Sequence, residues 1–203
     1  MAAKSYDRAY FDRWYRGRGR VRTAASLARK AALALAVADH VLGRPARTVL
    51  DVGCGEGAWR APLLRLRPGL GYLGVDASEY AVARYGRSRR ILLSPFGRLG
   101  GLGLPGPYDL VVCADVLHYL GAAEMDRGLP AVAALTGGVA FVDLFTREDS
   151  PEGDLAGWHS RRARWYRERL SRAGLFECGL GFWTGGGVAA GLSAMEAAPS
   201  RRG

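Results

Sequence analysis

Cysteine is scarce in this 203-residue sequence, and the few present exclude two kinds of site. Cys54, Cys113 and Cys178 are far apart, odd in number and without any CxxC or Cys/His spacing. Neither a disulfide framework nor a zinc ligand set is therefore expected, and no metal is implied. Reduced, buried thiols in a cytoplasmic protein are the expectation. Long apolar runs are lacking too. The most apolar run near the N-terminus, Ala31 to Ala38, is flanked by Arg29, Lys30 and Asp39 and falls far short of the roughly 20 residues that cross a bilayer. Asp7 and Asp12, with no apolar stretch ahead of them, read against a signal peptide. Acidic residues are also few. The 19 Asp plus Glu face 29 Lys plus Arg, for a formal charge of +10, and Lys4 and Lys30 are the lysines among them. Such a field attracts phosphates and acidic partners. In a chain so rich in Ala, Gly and Arg, a solvated arginine surface is the simpler reading.

The length suits one compact domain rather than two. Tyr6, Tyr10 and Trp14 recur every four residues, so a short helix over Ser5 to Trp14 would carry them on one face. A basic stretch, Arg16 to Arg22, separates it from a longer helix over Thr23 to Leu42, ended by Gly43 with Pro45 just beyond. Residues 1–46 read as a helical cap or lid belonging to the same domain as 47–198, with 199–203 as a tail.

Beyond Arg47 short apolar runs alternate with helical segments, which is the pattern of βαβ units and a mostly parallel sheet. Strands are expected at Thr48–Val52, Tyr72–Asp76, Arg90–Leu93, Asp109–Cys113 and Val139–Leu144, and a sixth near Phe176–Phe182. Ala163, Tyr166, Leu170 and Ala173 mark a helix face closed by Gly174. The glycine runs Gly100–Gly106 and Gly185–Gly187 read as loops.

After the first strand comes Val49-Leu50-Asp51-Val52-Gly53-Cys54-Gly55-Glu56-Gly57, leading into a helix expected to begin near Ala58. Glycines let the backbone turn tightly against a ligand, and a helix N-terminus offers unpaired N–H groups. Position alone does not name the ligand, because Gly53, Gly55 and Ala58 also satisfy the dinucleotide fingerprint of NAD or FAD enzymes. Asp51 tips the balance: its carboxylate would oppose a pyrophosphate but suits an ammonium and a sulfonium. Asp76, ending the next strand, can accept ribose hydroxyl hydrogen bonds, a feature shared with NAD enzymes. The run Tyr108 to Leu120 places the polar residues of Ala114-Asp115-Val116-Leu117-His118-Tyr119-Leu120 beside the same crevice.

Together VLDVGCGEG, GVDAS and YDLVVCADVLHYL closely resemble the class I S-adenosylmethionine-dependent methyltransferases, over roughly Arg47 to Leu180. The resemblance implies an α/β fold with a doubly wound, mostly parallel seven-stranded sheet, its last strand reversed and helices on both faces. It implies S-adenosyl-L-methionine as cofactor, with Asp51, Gly53, Gly55 and Gly57 around the methionine moiety, Cys54 of the same loop among the cofactor-binding residues, Asp76 on the ribose and Ala77 beside the adenine. Asp115 would lie near the methionine end, close to the acceptor. The family often carries an acid after the third strand that contacts the adenine amine. Here the stretch is Leu93-Ser94-Pro95-Phe96, so Ser94 or backbone takes that place and Phe96 stacks.

Methyl transfer from a sulfonium is an in-line displacement in which holding the acceptor supplies much of the rate, and a dedicated base is optional. Where a proton must leave, His118, with Asp115, is the first candidate and His159 the next. Tyr10, Phe11, Trp14 and Tyr119 are candidates for a lid or for substrate contact. Trp59 reads as core behind the glycine loop and Arg60 as solvent-facing. Arg161, Arg162 and Arg164 read as a solvated helix face. A small molecule methylated on O, N or C is the expected acceptor. RNA or another nucleic acid is the second reading, a cofactor-binding partner subunit without turnover the third, and an NAD-dependent oxidoreductase the fourth.

Overall fold

The computed structural model describes residues 6–16, 23–151 and 153–197. Ser5, the basic stretch at 17–22 and the tail at 199–203 lie outside the described residues. Seven strands form one sheet: β1 Thr48–Val52, β2 Gly71–Asp76, β3 Ile91–Leu93, β4 Tyr108–Ala114, β5 Thr136–Asp143, β6 Leu175–Gly179 and β7 Phe182–Gly185. Their order is β3-β2-β1-β4-β5-β7-β6. The pairs from β3 through β5 are parallel, while β7 runs antiparallel to both β5 and β6. The sheet is thus the expected one, reversed strand included.

Alternation along the strands sends side chains into two cores, one on each face. Val49, Leu110, Val112 and Phe141 pack on one side against Ala31, Ala34, Leu35 and Ala38 of α2 (Ala24–Leu42) and Leu63 of α3 (Arg60–Leu66). Leu50, Val52, Val111 and Ala140 face the other side. There they meet Met125, Leu129 and Val132 of α5 (Ala122–Leu135) and Tyr166 and Leu170 of α6 (Ala163–Arg172). Between β2 and β3 lies α4 (Glu79–Arg89). The bounds of α2 follow from local chemistry: the Thr23 hydroxyl accepts from the Ser26 N–H at 3.1 Å, and Gly43 ends the helix in the left-handed region.

Four expectations need correction. The sixth strand is a hairpin, not one strand: Leu180 and Gly181, at φ 52° and 81°, turn the chain between β6 and β7. Among the glycine runs, Phe96–Leu102 forms a 3-10 helix, Gly185 ends β7 and Gly186–Ala189 is the short helix α7. The helix after the glycine loop starts at Arg60, not Ala58, and Arg60 is half-buried rather than solvent-facing. The N-terminal aromatic helix is short, with α1 at Arg8–Phe11 giving way to a π-helical turn at Asp12–Arg16. A π turn pairs residues five apart, so Tyr15 rather than Trp14 follows Tyr10, with the two ring centroids 6.1 Å apart.

The parallel strands deliver Val52, Asp76, Ala114 and Asp143 to one sheet edge, their carboxyl ends. In open α/β sheets that edge is where ligands bind.

Candidate functional site

A cavity of about 400 Å³ opens at this edge. Its floor carries Asp51, 2% exposed, whose carboxylate accepts a 2.7 Å hydrogen bond from the Tyr72 hydroxyl. Burial, together with Asp51, holds the Tyr72 hydroxyl well above the usual phenol range, so it stays a donor. At the end of β2, Asp76 accepts from the backbone N–H groups of Gly55 (2.6 Å) and Ser78 (2.7 Å). Burial raises the Asp76 pKa, against the pull of those donors. The glycine loop is pinned from the other side as well, because the N–H groups of Gly53 and Cys54 donate to the Val75 carbonyl at 2.7 and 3.2 Å. Burial also pushes the Cys54 thiol far up, with Asp51 and Asp76 adding to it, which makes this cysteine a wall rather than a nucleophile.

The N-terminal segment closes one side. The Ser78 hydroxyl donates to the Tyr6 carbonyl at 2.6 Å, Arg16 pairs with Glu56 of the glycine loop, and Phe11 stacks on Tyr80 of α4 at 5.9 Å. Phe11 lies so close over Gly55 that a Cβ there would stand 3.0 Å from its ring. Burial, with Asp154, Asp76 and Glu124 nearby, pushes the Tyr6 phenol up to about 12.

Of the residues read from the sequence, Asp51, Gly53, Cys54, Gly55, Asp76, Ala77, Ser94, Phe96, Asp115, Tyr10 and Tyr119 come together on this cavity. Four do not. Gly57 turns the loop at φ 77° behind the wall. Trp14 is displaced by the π turn and packs under the Arg13 guanidinium, 4.9 Å from its ring centroid. His118, 1% exposed, is buried off the cavity, where its ring packs against Tyr119 and Phe145 and its Nδ1 faces the Phe145 N–H at 3.4 Å. His159 is exposed, its backbone N–H donating to the His118 carbonyl at 2.8 Å. Arg161 also departs from its expected solvated face: it donates to the Leu120 carbonyl at 2.8 Å and stacks on Trp165. Trp59 is core as expected, 3% exposed and 5.6 Å from Phe141.

Tyr72, Tyr15, Arg16, Glu56 and Glu124 belong to the site and had not been singled out. For Tyr72 the signal was present: β1 and β2 pair with Val49 opposite Tyr72 and Asp51 opposite Gly74, so Tyr72 and Asp51 share a face. Removing that hydroxyl in Tyr72→Phe leaves a buried carboxylate short of one donor. It is expected to cost about 1–3 kcal/mol of stability in denaturant unfolding with little change in slope.

Residues 50–137 match the family described as a methyltransferase domain. The chain shares its fold with solved methyltransferases. The sugar N-methyltransferase KedS8 from Streptoalloteichus sp. superposes with a TM-score of 0.65 at 20% identity, over 91% of this chain and 95% of that one. The magnesium protoporphyrin IX methyltransferase ChlM from Synechocystis, solved with bound S-adenosylhomocysteine, gives 0.56 at 22% identity, over 84% and 86% of the two chains. The [4+2]-cyclase SpnF gives 0.53 at 23% identity, over 80% of this chain and 62% of that one. At these identities the likeness is one of fold. An uncharacterized protein of Synechococcus sp. is 33% identical over 113 residues, which are 51% of this chain and 26% of the cyanobacterial protein. The chain thus spans about a quarter of that relative. Among the described residues no helix is long and apolar enough to cross a membrane.

Proposed function

We propose that this chain binds S-adenosylmethionine in the cavity and transfers its methyl group to a small-molecule acceptor. The observation that carries this reading is the pair of carboxylates, Asp51 buried and Asp76 half-buried, at the ends of adjacent parallel strands on one cavity. Asp51 offers a fixed negative charge to an amino acid ammonium, and Asp76 offers acceptors to vicinal hydroxyls. A pyrophosphate would meet the Asp51 charge unfavourably. ChlM, of the same fold, was solved with bound S-adenosylhomocysteine.

When bound, the cofactor supplies an electrophilic methyl group on a sulfonium. The chain's own groups then do three things. Tyr72 and Asp51 fix the amino end. The segment from Tyr6 to Arg16 covers the cavity and excludes water from the reacting centre. Asp115, held at φ 59° on the wall beside Tyr119, is the group of the three sequence candidates placed to take a proton from the acceptor, a left-handed conformation of the kind that functional sites retain. His118 acts in this reading by packing under Tyr119, whose hydroxyl donates to the Asp154 carbonyl at 2.7 Å.

Calorimetric titration of the protein with S-adenosylmethionine, S-adenosylhomocysteine and NAD tests the reading. Micromolar binding of the first two and none of NAD is expected. Binding of NAD alone would overturn it, and cofactor binding without turnover on any acceptor would favour the partner-subunit reading over the enzyme.

A further inference from the structure

Beyond β2 and β3 the cavity wall is made by Ala77, Ser94, Phe96 and Leu99. Phe96 and Leu99 are buried and apolar. Ser94 has its donors committed, its hydroxyl to the Pro95 carbonyl at 3.0 Å and its N–H to the Asp76 carbonyl at 2.9 Å. No carboxylate stands in this stretch of the sequence. One is supplied from elsewhere: Glu124, in the first turn of α5, lines the same cavity. Its stem lies against the 3-10 helix, since a Cβ at Gly97 would stand 3.2 Å from the Glu124 Cγ. Its charge is felt at Tyr6 together with that of Asp76, and the Tyr6 carbonyl is tied to Ser78 next to Ala77. Among the described residues the Glu124 carboxylate makes no hydrogen bond and no ion pair. It is a half-buried carboxylate with its acceptor capacity unspent.

A purine presents few ways to be told apart along such a wall. Adenine carries an exocyclic amine at carbon 6, a donor, where a 6-oxo purine carries a carbonyl, an acceptor. A carboxylate is an acceptor only, so it attracts the first and repels the second. Resting on the cofactor reading above, we propose that Glu124 accepts a hydrogen bond from the 6-amino group of the cofactor's adenine and makes the site selective for adenine over 6-oxo purines. Specificity of this kind comes as much from the rejected partner as from the accepted one.

The test uses two ligands that differ along that edge of the base alone, S-adenosylhomocysteine and its deaminated analogue S-inosylhomocysteine, in which the amine becomes a carbonyl and the neighbouring N1 gains a proton, titrated into the full chain. The wild type is expected to bind the adenosyl ligand at least tenfold more tightly. In Glu124→Gln, whose amide can donate to a 6-oxo group as well as accept, the preference should shrink to within about threefold, through weaker adenosyl binding and stronger inosyl binding together. Glu124→Ala should weaken adenosyl binding without gaining for the inosyl ligand. Equal affinities in the wild type, or an unchanged preference in Glu124→Gln, would overturn the proposal. Absence of S-adenosylhomocysteine binding in the wild type would instead remove the cofactor reading itself, so the two failures are distinguishable.

Discussion

Asp76→Ala is expected to weaken S-adenosylhomocysteine binding by roughly a hundredfold in a calorimetric titration while leaving the protein folded. Two vicinal hydroxyls donating to one carboxylate are charge-assisted contacts worth about 1.5–3 kcal/mol each when formed out of water, of which part is returned by hydration. A net loss of about 3 kcal/mol corresponds to two powers of ten. The carboxylate has a second task, because the Gly55 and Ser78 N–H groups both end on it, so the glycine loop loses an anchor along with the ligand. The pH dependence separates the two roles. Burial raises the Asp76 pKa, so the folded protein holds this proton more tightly than the unfolded chain does. The stability it contributes is present below the ordinary aspartate pKa and is lost as pH rises through the raised one. Hydroxyl donors need the ionised form, so cofactor binding pulls the pKa back down. In the window just above the ordinary aspartate pKa, binding should release a proton and strengthen as pH rises. Titration in two buffers of different ionisation enthalpy reads that proton directly, and Asp76→Ala should abolish it. An affinity unchanged in the variant would remove Asp76 from the ribose.

The sheet and the place of Asp51 and Asp76 on the cavity were legible because both are written in local pattern. Strand β1 was bounded to the residue at Thr48–Val52 by an apolar run closed by the glycine loop, and Asp51 and Asp76 followed from their place at strand ends. What failed was chemistry that depends on packing. His118 follows β4 in sequence and reads as a base beside the crevice, yet the turn at Leu117–Tyr119 rolls it inward and offers Tyr119 to the cavity. Residue type and order do not fix which side of a single turn faces the ligand. Trp14 failed for a related reason, since a period of four holds only while the helix stays α, and the π turn from Asp12 shifts the next aromatic on that face to Tyr15. Glu124 carries no local signal at all. It comes from a helix N-terminus and reaches the wall because α5 packs over the 96–102 turn, which is a tertiary fact.

Gly53→Ala should be the most damaging single methyl in the site, lowering stability by roughly 3 kcal/mol, and its cause can be divided in two. Gly53 sits at φ 70°, where a Cβ meets its own backbone at a cost of about 1–2 kcal/mol. That Cβ would also stand 2.2 Å from Cγ2 and 2.9 Å from Cγ1 of Val116, an overlap of the kind that costs about 1–3 kcal/mol even after neighbours shift. For a chain of this length the sum lowers the melting midpoint by roughly 10 °C. Val116→Ala removes both clashing methyl groups and alone should cost about 1 kcal/mol, since Val116 is half-buried. The double variant should therefore be more stable than the sum of the singles predicts, recovering the overlap and keeping the φ strain. Cofactor affinity should follow a different rule. Both Gly53 and Val116 line the cavity, and a backbone strained at Gly53 moves the loop whose N–H groups are held by Val75, so affinity should stay low in the double variant even as stability returns. Additive stabilities would mean that the glycine loop and the turn after β4 do not touch. Full recovery of affinity would mean that Val116, not the loop backbone, had blocked the ligand.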